Sequence, residues 1–359
     1  MSLQRVVNLF NATLFNPLLS GLAAGALAWR SLQPDGKIDK DALLAILKTD
    51  KGIKVCLGLF LAGLVIRLNG TVSRRALNPS GKVRWTPKGE VALVTGGAGG
   101  IGAEIVKLMS AKGVPVVVVD VVPLQFTPSD GLPVPLANDG APVSYYKCDI
   151  TDYDAFQKVA NKIREEVGSP TVVFANAGFS RTKPVLELST RELALMNGVN
   201  INGVLWAIKL FVPDMVRKNH GHIVITASSA AYVSNPRMVP YCGTKSAVLA
   251  IWEGLHAELI QLYKAPHVKA SVVCPMFVTT KMFDGMASPG FVAPPLKPID
   301  VALPQVQAVV DGEARHIMVP RAFGLFLGFV RAWPSWVGVL LARAAGEMTV
   351  KVTGHDPLA

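Results

Sequence analysis

The chain has 359 residues, 50% of them hydrophobic, enough to bury one large α/β core and leave roughly a hundred residues over if a single domain takes ~250. The net charge of +11 is uneven: residues 1–90 hold 13 Lys and Arg against 5 Asp and Glu. Arg67, Arg74, Arg75, Lys82, Arg84 and Lys88 follow directly on an apolar run, a placement that suits anionic headgroups and argues against nucleic acid as a partner. Cys56, Cys148, Cys242 and Cys274 show no CxxC spacing and read as reduced thiols of a cytosol-facing protein.

Residues 6–29 are apolar and uncharged, although Asn8, Asn11, Asn16 and Pro17 interrupt their first half. A second run, 55–66, is apolar throughout but short. Spanning hydrocarbon takes ~20 helical residues, so the first run is long enough and the second alone is not; a hairpin or an interfacial pair is the expectation. Between them lie a turn at Gln33-Pro34-Asp35-Gly36 and a short amphipathic helix over 39–48. Residues 69–89, with Asn78-Pro79-Ser80-Gly81 and Pro87, read as a linker. The expected organisation is a membrane-anchoring region over 1–70, a basic linker over 71–89, a dinucleotide-binding domain over 90–320 and a tail over 321–359.

From Glu90 short β-branched runs alternate with longer helical stretches, which predicts a doubly wound α/β fold with a parallel sheet covered on both faces. The expected strands are 91–95, 114–120, 143–148, 171–175, 222–227, 268–274 and 316–319. Residues 121–142, with five prolines, read as a surface loop. The apolar tract 323–341 carries Trp333 and Trp336; it suits either a helix docked on the core or one at the membrane interface, where Trp is favoured.

Thr95-Gly96-Gly97-Ala98-Gly99-Gly100-Ile101-Gly102 stands where the first strand gives way to a helix. Glycine there lets the backbone approach a pyrophosphate that faces the helix N-terminus, which makes Gly96, Gly100, Ile101 and Gly102 candidate cofactor contacts. Asp120 closes the second strand, where a carboxylate accepts both ribose hydroxyls and repels a 2′-phosphate; this favours NAD over NADP. Asp149 and Ile150, past the third strand, are placed for the adenine edge. Asn176-Ala177-Gly178, past the fourth, lie beside the ribose or stiffen the sheet.

Tyr241-Cys242-Gly243-Thr244-Lys245 opens a helix, so Tyr241 and Lys245 share one face. Thirteen residues earlier Ser228 closes the strand 222–227, with Ser229 as its neighbour and alternative. Hydroxyl, phenol and ammonium can therefore converge at the carboxyl ends of the strands, where such sheets bind ligands. His220 and His222 lack a third clustered ligand and are not read as a metal site.

Taken together these motifs resemble the short-chain dehydrogenase/reductase superfamily over about 90–280. The resemblance implies a tetrad of Asn200, Ser228, Tyr241 and Lys245, with Tyr as acid/base, Ser orienting the substrate oxygen, Lys on the nicotinamide ribose and Asn holding a relay water. It also makes Val278 and Thr280 candidate contacts to the nicotinamide amide and phosphate. Asn219-His220-Gly221-His222-Ile223-Val224, Tyr241-Cys242, Cys274-Pro275-Met276-Phe277-Val278-Thr279-Thr280 and His316-Ile317-Met318-Val319-Pro320 look like the branch of lipid-droplet 17β-hydroxysteroid dehydrogenases and membrane retinol dehydrogenases. That likeness implies hydride transfer between NAD and a lipophilic alcohol (steroid, retinoid or long-chain), at the endoplasmic reticulum membrane or a lipid droplet, with the catalytic domain facing the cytosol. A homodimer is a further expectation. The alternatives are an NADPH-dependent lipid ketone reductase, which Asp120 opposes, and an inactive scaffold, which the intact tetrad opposes.

Overall fold

The computed structural model describes residues 16–31, 51–124, 141–283 and 295–348. The predicted helix at 39–48 and most of the predicted loop at 121–142 lie outside them. The chain divides into two compact units, Met1–Ala76 and Leu77–Ala359.

In the first unit, α1 spans Pro17–Ser31 and α2 spans Lys51–Leu77. Helix α2 corrects the reading of 55–66 as a short run followed by a linker: it is continuous for 27 residues, about 40 Å at 1.5 Å per residue, and holds an 18-residue stretch of mean hydropathy 1.8. By length and composition it is sufficient to cross a membrane. The reason is local, since nothing from Arg67 to Leu77 breaks a helix as proline would. The helix stops directly before Asn78-Pro79, as the steric restriction on a residue preceding proline dictates.

The second unit is built on seven parallel strands: β1 Ala92–Thr95, β2 Val116–Asp120, β3 Val143–Lys147, β4 Val172–Ala175, β5 Gly221–Thr226, β6 Val268–Pro275 and β7 His316–Val319. Each lies within two residues of its sequence expectation. Their order is β3-β2-β1-β4-β5-β6-β7, so the winding reverses between β1 and β4, and that switch point opens a crevice at the carboxyl ends. The central strands are buried on both faces, as continuous Val/Ile runs require. One face packs against α4 Tyr153–Glu166, α6 Gly203–Lys218 and α7 Val239–Gln261, around Phe156, Phe211, Met215 and Leu259. The other packs against α3 Gly100–Ala111 and α8 Pro298–Val310. Helix α5, Thr190–Asn197, leads through a π turn, Gly198–Asn202, into α6.

Residues 78–90 are not a free linker. They form a strap fastened to the amino ends of the strands. Asn78 exchanges two hydrogen bonds with Ala314: its Nδ2 donates to the Ala314 carbonyl at 3.0 Å, and the Ala314 N–H donates to its Oδ1 at 2.8 Å. Ser80 donates to the Pro266 carbonyl at 2.7 Å, and Lys269 donates to Ser80 and to the Gly81 carbonyl. The Val83 N–H donates to the Gly312 carbonyl at 3.0 Å. Glu90, buried, accepts from Thr171 and pairs with His220, while His222 bonds Ser271. The two histidines of the His-x-His stretch therefore serve different partners.

The tail forms α9 Ala322–Val330 and α10 Ser335–Met348. Leu327 and Val330 are buried against the α7 face of the sheet, whereas Phe329, Trp333, Trp336, Val339 and Leu340 are exposed.

Candidate active site

The glycine-rich turn joins β1 to α3 at the switch point. Gly96 has φ +66°, and a Cβ there would lie 2.8 Å from the Ala177 Cα, so only glycine lets the β1 and β4 turns meet. A Cβ on Gly102 would run into the Gly96 carbonyl and sit 2.8 Å from Asn176 Nδ2. Helix α3 begins with Gly99 as a cap that makes no side-chain bond, and its first turn holds no acidic residue. Its leading N–H groups thus face the crevice uncapped, the arrangement that fits a pyrophosphate. Thr280, past β6, closes over this turn, its methyl 3.3 Å from where a Gly100 Cβ would stand, while Ile101 is half-buried and Val278 buried.

Asp120 stands at the end of β2, its Oδ2 accepting from the Ala98 N–H at 3.0 Å and its Oδ1 from the Val122 N–H at 3.2 Å. Each oxygen keeps a lone pair for a ribose hydroxyl, so the pair of acceptors suits the two donors of a 2′,3′-diol. Asp149 is exposed and caps Thr151 at 2.8 Å; Ile150 turns its side chain inward against Gly203.

Asn176 carries the stiffening role. Its Nδ2 donates to the Thr95 and Gly96 carbonyls at 3.3 and 3.2 Å, and Thr226 donates to its Oδ1. The Asn176 and Ala177 N–H groups both reach Thr95 Oγ1. One amide thus ties the carboxyl ends of β1, β4 and β5. Gly178 follows with room for no more than a small residue, a Cβ there lying 3.6 Å from Asn200 Oδ1 and 3.7 Å from Lys245 Nζ.

Ser228, Tyr241, Lys245 and Asn200 converge beyond these strand ends. Ser228 follows β5 and caps the short 3₁₀ turn Ser229–Ala231 through the Ala230 N–H at 3.1 Å. Of the two adjacent serines, Ser228 hydrogen-bonds Tyr241. Tyr241 is 5% exposed within a cluster of Met196, Ala230, Met238 and Cys242. Burial raises its phenol above the ordinary value, and the Ser228 hydrogen bond opposes that rise. One turn on, Lys245 is 3% exposed; its ammonium donates to the Thr226 carbonyl at 2.8 Å and lies 5.7 Å from the Tyr241 ring centre. Burial lowers it to about 8.

Asn200 sits in the π turn, a local geometry often found at functional sites, and is 0% exposed. Its Oδ1 accepts from the Phe179 N–H at 2.8 Å, and its Nδ2 donates to the Phe179 carbonyl at 2.9 Å and to Thr244 Oγ1 at 3.0 Å. Both amide hydrogens are therefore spent on protein partners, leaving only acceptor capacity on Oδ1. Thr95, Thr244 and Phe179 are parts of the site that sequence alone does not single out. Thr95 and Thr244 lie inside the glycine-rich and Tyr-x-x-x-Lys motifs; Phe179 meets Asn200 through its backbone, which gives no sequence signal.

A family model described as short chain dehydrogenase matches residues 90–289. The chain is similar to human 17-beta-hydroxysteroid dehydrogenase 13, 29% identical over 278 residues, covering 76% of this chain and 88% of that one. It is equally similar to mouse epidermal retinol dehydrogenase 2, 29% identical over 282 residues with the same coverages. Among solved structures, a short chain dehydrogenase/reductase from Burkholderia phymatum in complex with NAD is 25% identical with a TM-score of 0.59, covering 77% of this chain and 99% of that one. The relatives are of the branch that the motifs resemble, and the match over more than half the chain makes this protein a member of the short-chain dehydrogenase family.

Proposed function

We propose that this oxidoreductase transfers hydride between NAD and a lipophilic secondary or allylic alcohol of the steroid, retinoid or long-chain kind. The observation that carries the reading is the buried Ser228–Tyr241–Lys245 arrangement at the carboxyl end of β5 and the first turns of α7, on the sheet edge where the glycine-rich turn leads from β1 into α3. Bound NAD supplies the hydride acceptor. The chain's own residues do the rest. Ser228 donates to or accepts from the substrate oxygen and aligns it with the phenol. Tyr241 takes the hydroxyl proton as general base. Lys245 keeps a positive charge beneath the phenol, stabilising the phenolate. Asn200 and Asn176 hold the surrounding turns so that these groups need no rearrangement. Asp120 accepts the ribose hydroxyls and disfavours a 2′-phosphate.

The lipophilic substrate class is supported by the relatives' named activities and by apolar surface on this chain. Helix α2 is long enough to span a bilayer, and α9–α10 expose Phe329, Trp333 and Trp336, the two tryptophans being of the type that settles at headgroup level. We place the protein at the endoplasmic reticulum or lipid-droplet surface, with the tail at the interface so that a lipid-dissolved alcohol reaches the site without crossing water. The test is to screen membranes bearing the protein, with NAD, against steroid alcohols, retinol and long-chain alcohols and to read NADH formation. Turnover of one of these classes is expected; activity confined to small water-soluble alcohols overturns the reading.

A further inference from the structure

Next to the site lies an ion pair that the proposed chemistry does not use. Arg181 Nε stands 3.2 Å from Glu192 Oε1, the side chains 7% and 9% exposed. Burying two charges costs several kcal/mol per ion before their attraction offsets it, so such a pair is weak evidence of stability and calls for another reason.

Glu192 is a node. Its Oε1 also meets Lys183 Nζ at 3.0 Å, and its Oε2 accepts from the Ser189 N–H at 2.9 Å and the Ser189 hydroxyl at 3.0 Å. The Ser189 backbone bond, then Lys183, hold the carboxyl down at about 2, so it stays charged at any working pH. The Glu192 N–H returns a bond to Ser189 Oγ, closing a capping box that fixes the start of α5. At the other end the Arg181 guanidinium lies 5.9 Å over the Phe179 ring. That ring packs on the cluster of Met196, Ala230, Met238 and Tyr241, with Met196 supplied by α5 itself. The Phe179 backbone is the segment clasped on both its N–H and its carbonyl by Asn200.

We infer that Arg181 and Glu192 are positioning residues: their pair ties the start of α5 to Phe179 and so sets the Asn200 clasp and the wall against which Tyr241 rests. The inference rests on the reading of Tyr241 as acid/base. Its test is the double variant Arg181→Met/Glu192→Leu, which removes both charges together and so avoids the penalty of one buried charge left unpaired. Losing the Glu192 half of the capping box should cost about 1 kcal/mol and lower the melting temperature by a few degrees, while kcat falls about 10- to 100-fold, as a misplacement of ~1 Å costs, and the KM for NAD changes little. Arg181→Lys, which keeps the charge, should recover part of the loss. Hydrogen exchange at the Phe179 amide should quicken in the double variant. A folded double variant with parental kcat and parental Phe179 exchange, whatever its melting temperature, overturns the inference. If the double variant does not fold, Glu192→Gln carries the same kcat and exchange readings, and parental values there overturn it equally. A parent chain that turns over no alcohol sinks the Tyr241 reading instead, and Phe179 exchange still decides this one.

Discussion

Tyr241→Phe removes one oxygen and leaves the ring in place among Met196, Ala230, Met238 and Cys242. The loss of one hydrogen bond to Ser228 costs about 1 kcal/mol, so the fold should survive. The chemistry should not. A phenol with an ordinary pKa of ~10 must drop ~3 units to act near neutral pH, ~4 kcal/mol, and burial in the free protein pushes it the other way. That stabilisation, together with whatever offsets the burial, must come from the Lys245 ammonium, 5.7 Å from the ring centre, and from the positive charge of bound NAD. The expected result, from initial rates of NADH formation, is a loss of ~10² to 10⁴ in kcat with NAD binding changed no more than a few fold. Retention of more than about a tenth of parental kcat refutes the role, because general-base catalysis is worth more than that. The pH dependence has a sign. A base works deprotonated, so oxidation rises with pH; Lys245, lowered to about 8, is charged below that value and gives its help there. Lys245→Met should move the rising limb to higher pH, and an unmoved limb would separate the lysine from the phenol.

Asp120→Ala should narrow a parental preference for NAD over NADP by removing the repulsion of a 2′-phosphate; equal kcat/KM for both cofactors in the parent shows that this carboxylate does not face the ribose. Asn78→Ala breaks both bonds to Ala314 and strands a part-buried N–H, which costs about 1–3 kcal/mol and lowers Tm by about 2–4 °C per kcal/mol. An unchanged thermal midpoint means the strap is not held as described. Replacing the exposed Phe329, Trp333 and Trp336 by serine should raise KM for a lipid-borne alcohol more than for a short soluble one; equal effects on the two remove the tail from the entrance.

The sheet was legible because each strand is a buried β-branched run, and seven such runs followed by helices leave few topologies. The glycine-rich turn and the Ser228–Tyr241–Lys245 spacing were legible because local geometry demands those residues at those offsets. The strap was not. Asn78-Pro79-Ser80-Gly81 carries the signature of a turn, and nothing in it announces partners at Pro266, Gly312 and Ala314. The full length of helix α2 is not legible from apolarity, since the apolar run ends at Ile66, whereas the backbone ladder tolerates Arg67 to Leu77 until proline intervenes. The Arg181–Glu192 pair was silent for a third reason: single charged residues in a loop and on a helix look like surface until the fold encloses them.

The strap also bears on how the protein can be cut. A catalytic fragment begun at residue 90, where the strand pattern starts, discards the partners of Ala314, Pro266, Gly312 and Lys269 at the amino edge of β6 and β7. A fragment begun at Leu77 keeps them. That edge is opposite the one where Gly96, Asn176 and Ser228 gather, so a fragment cut at residue 90 should lose stability before it loses the shape of its site.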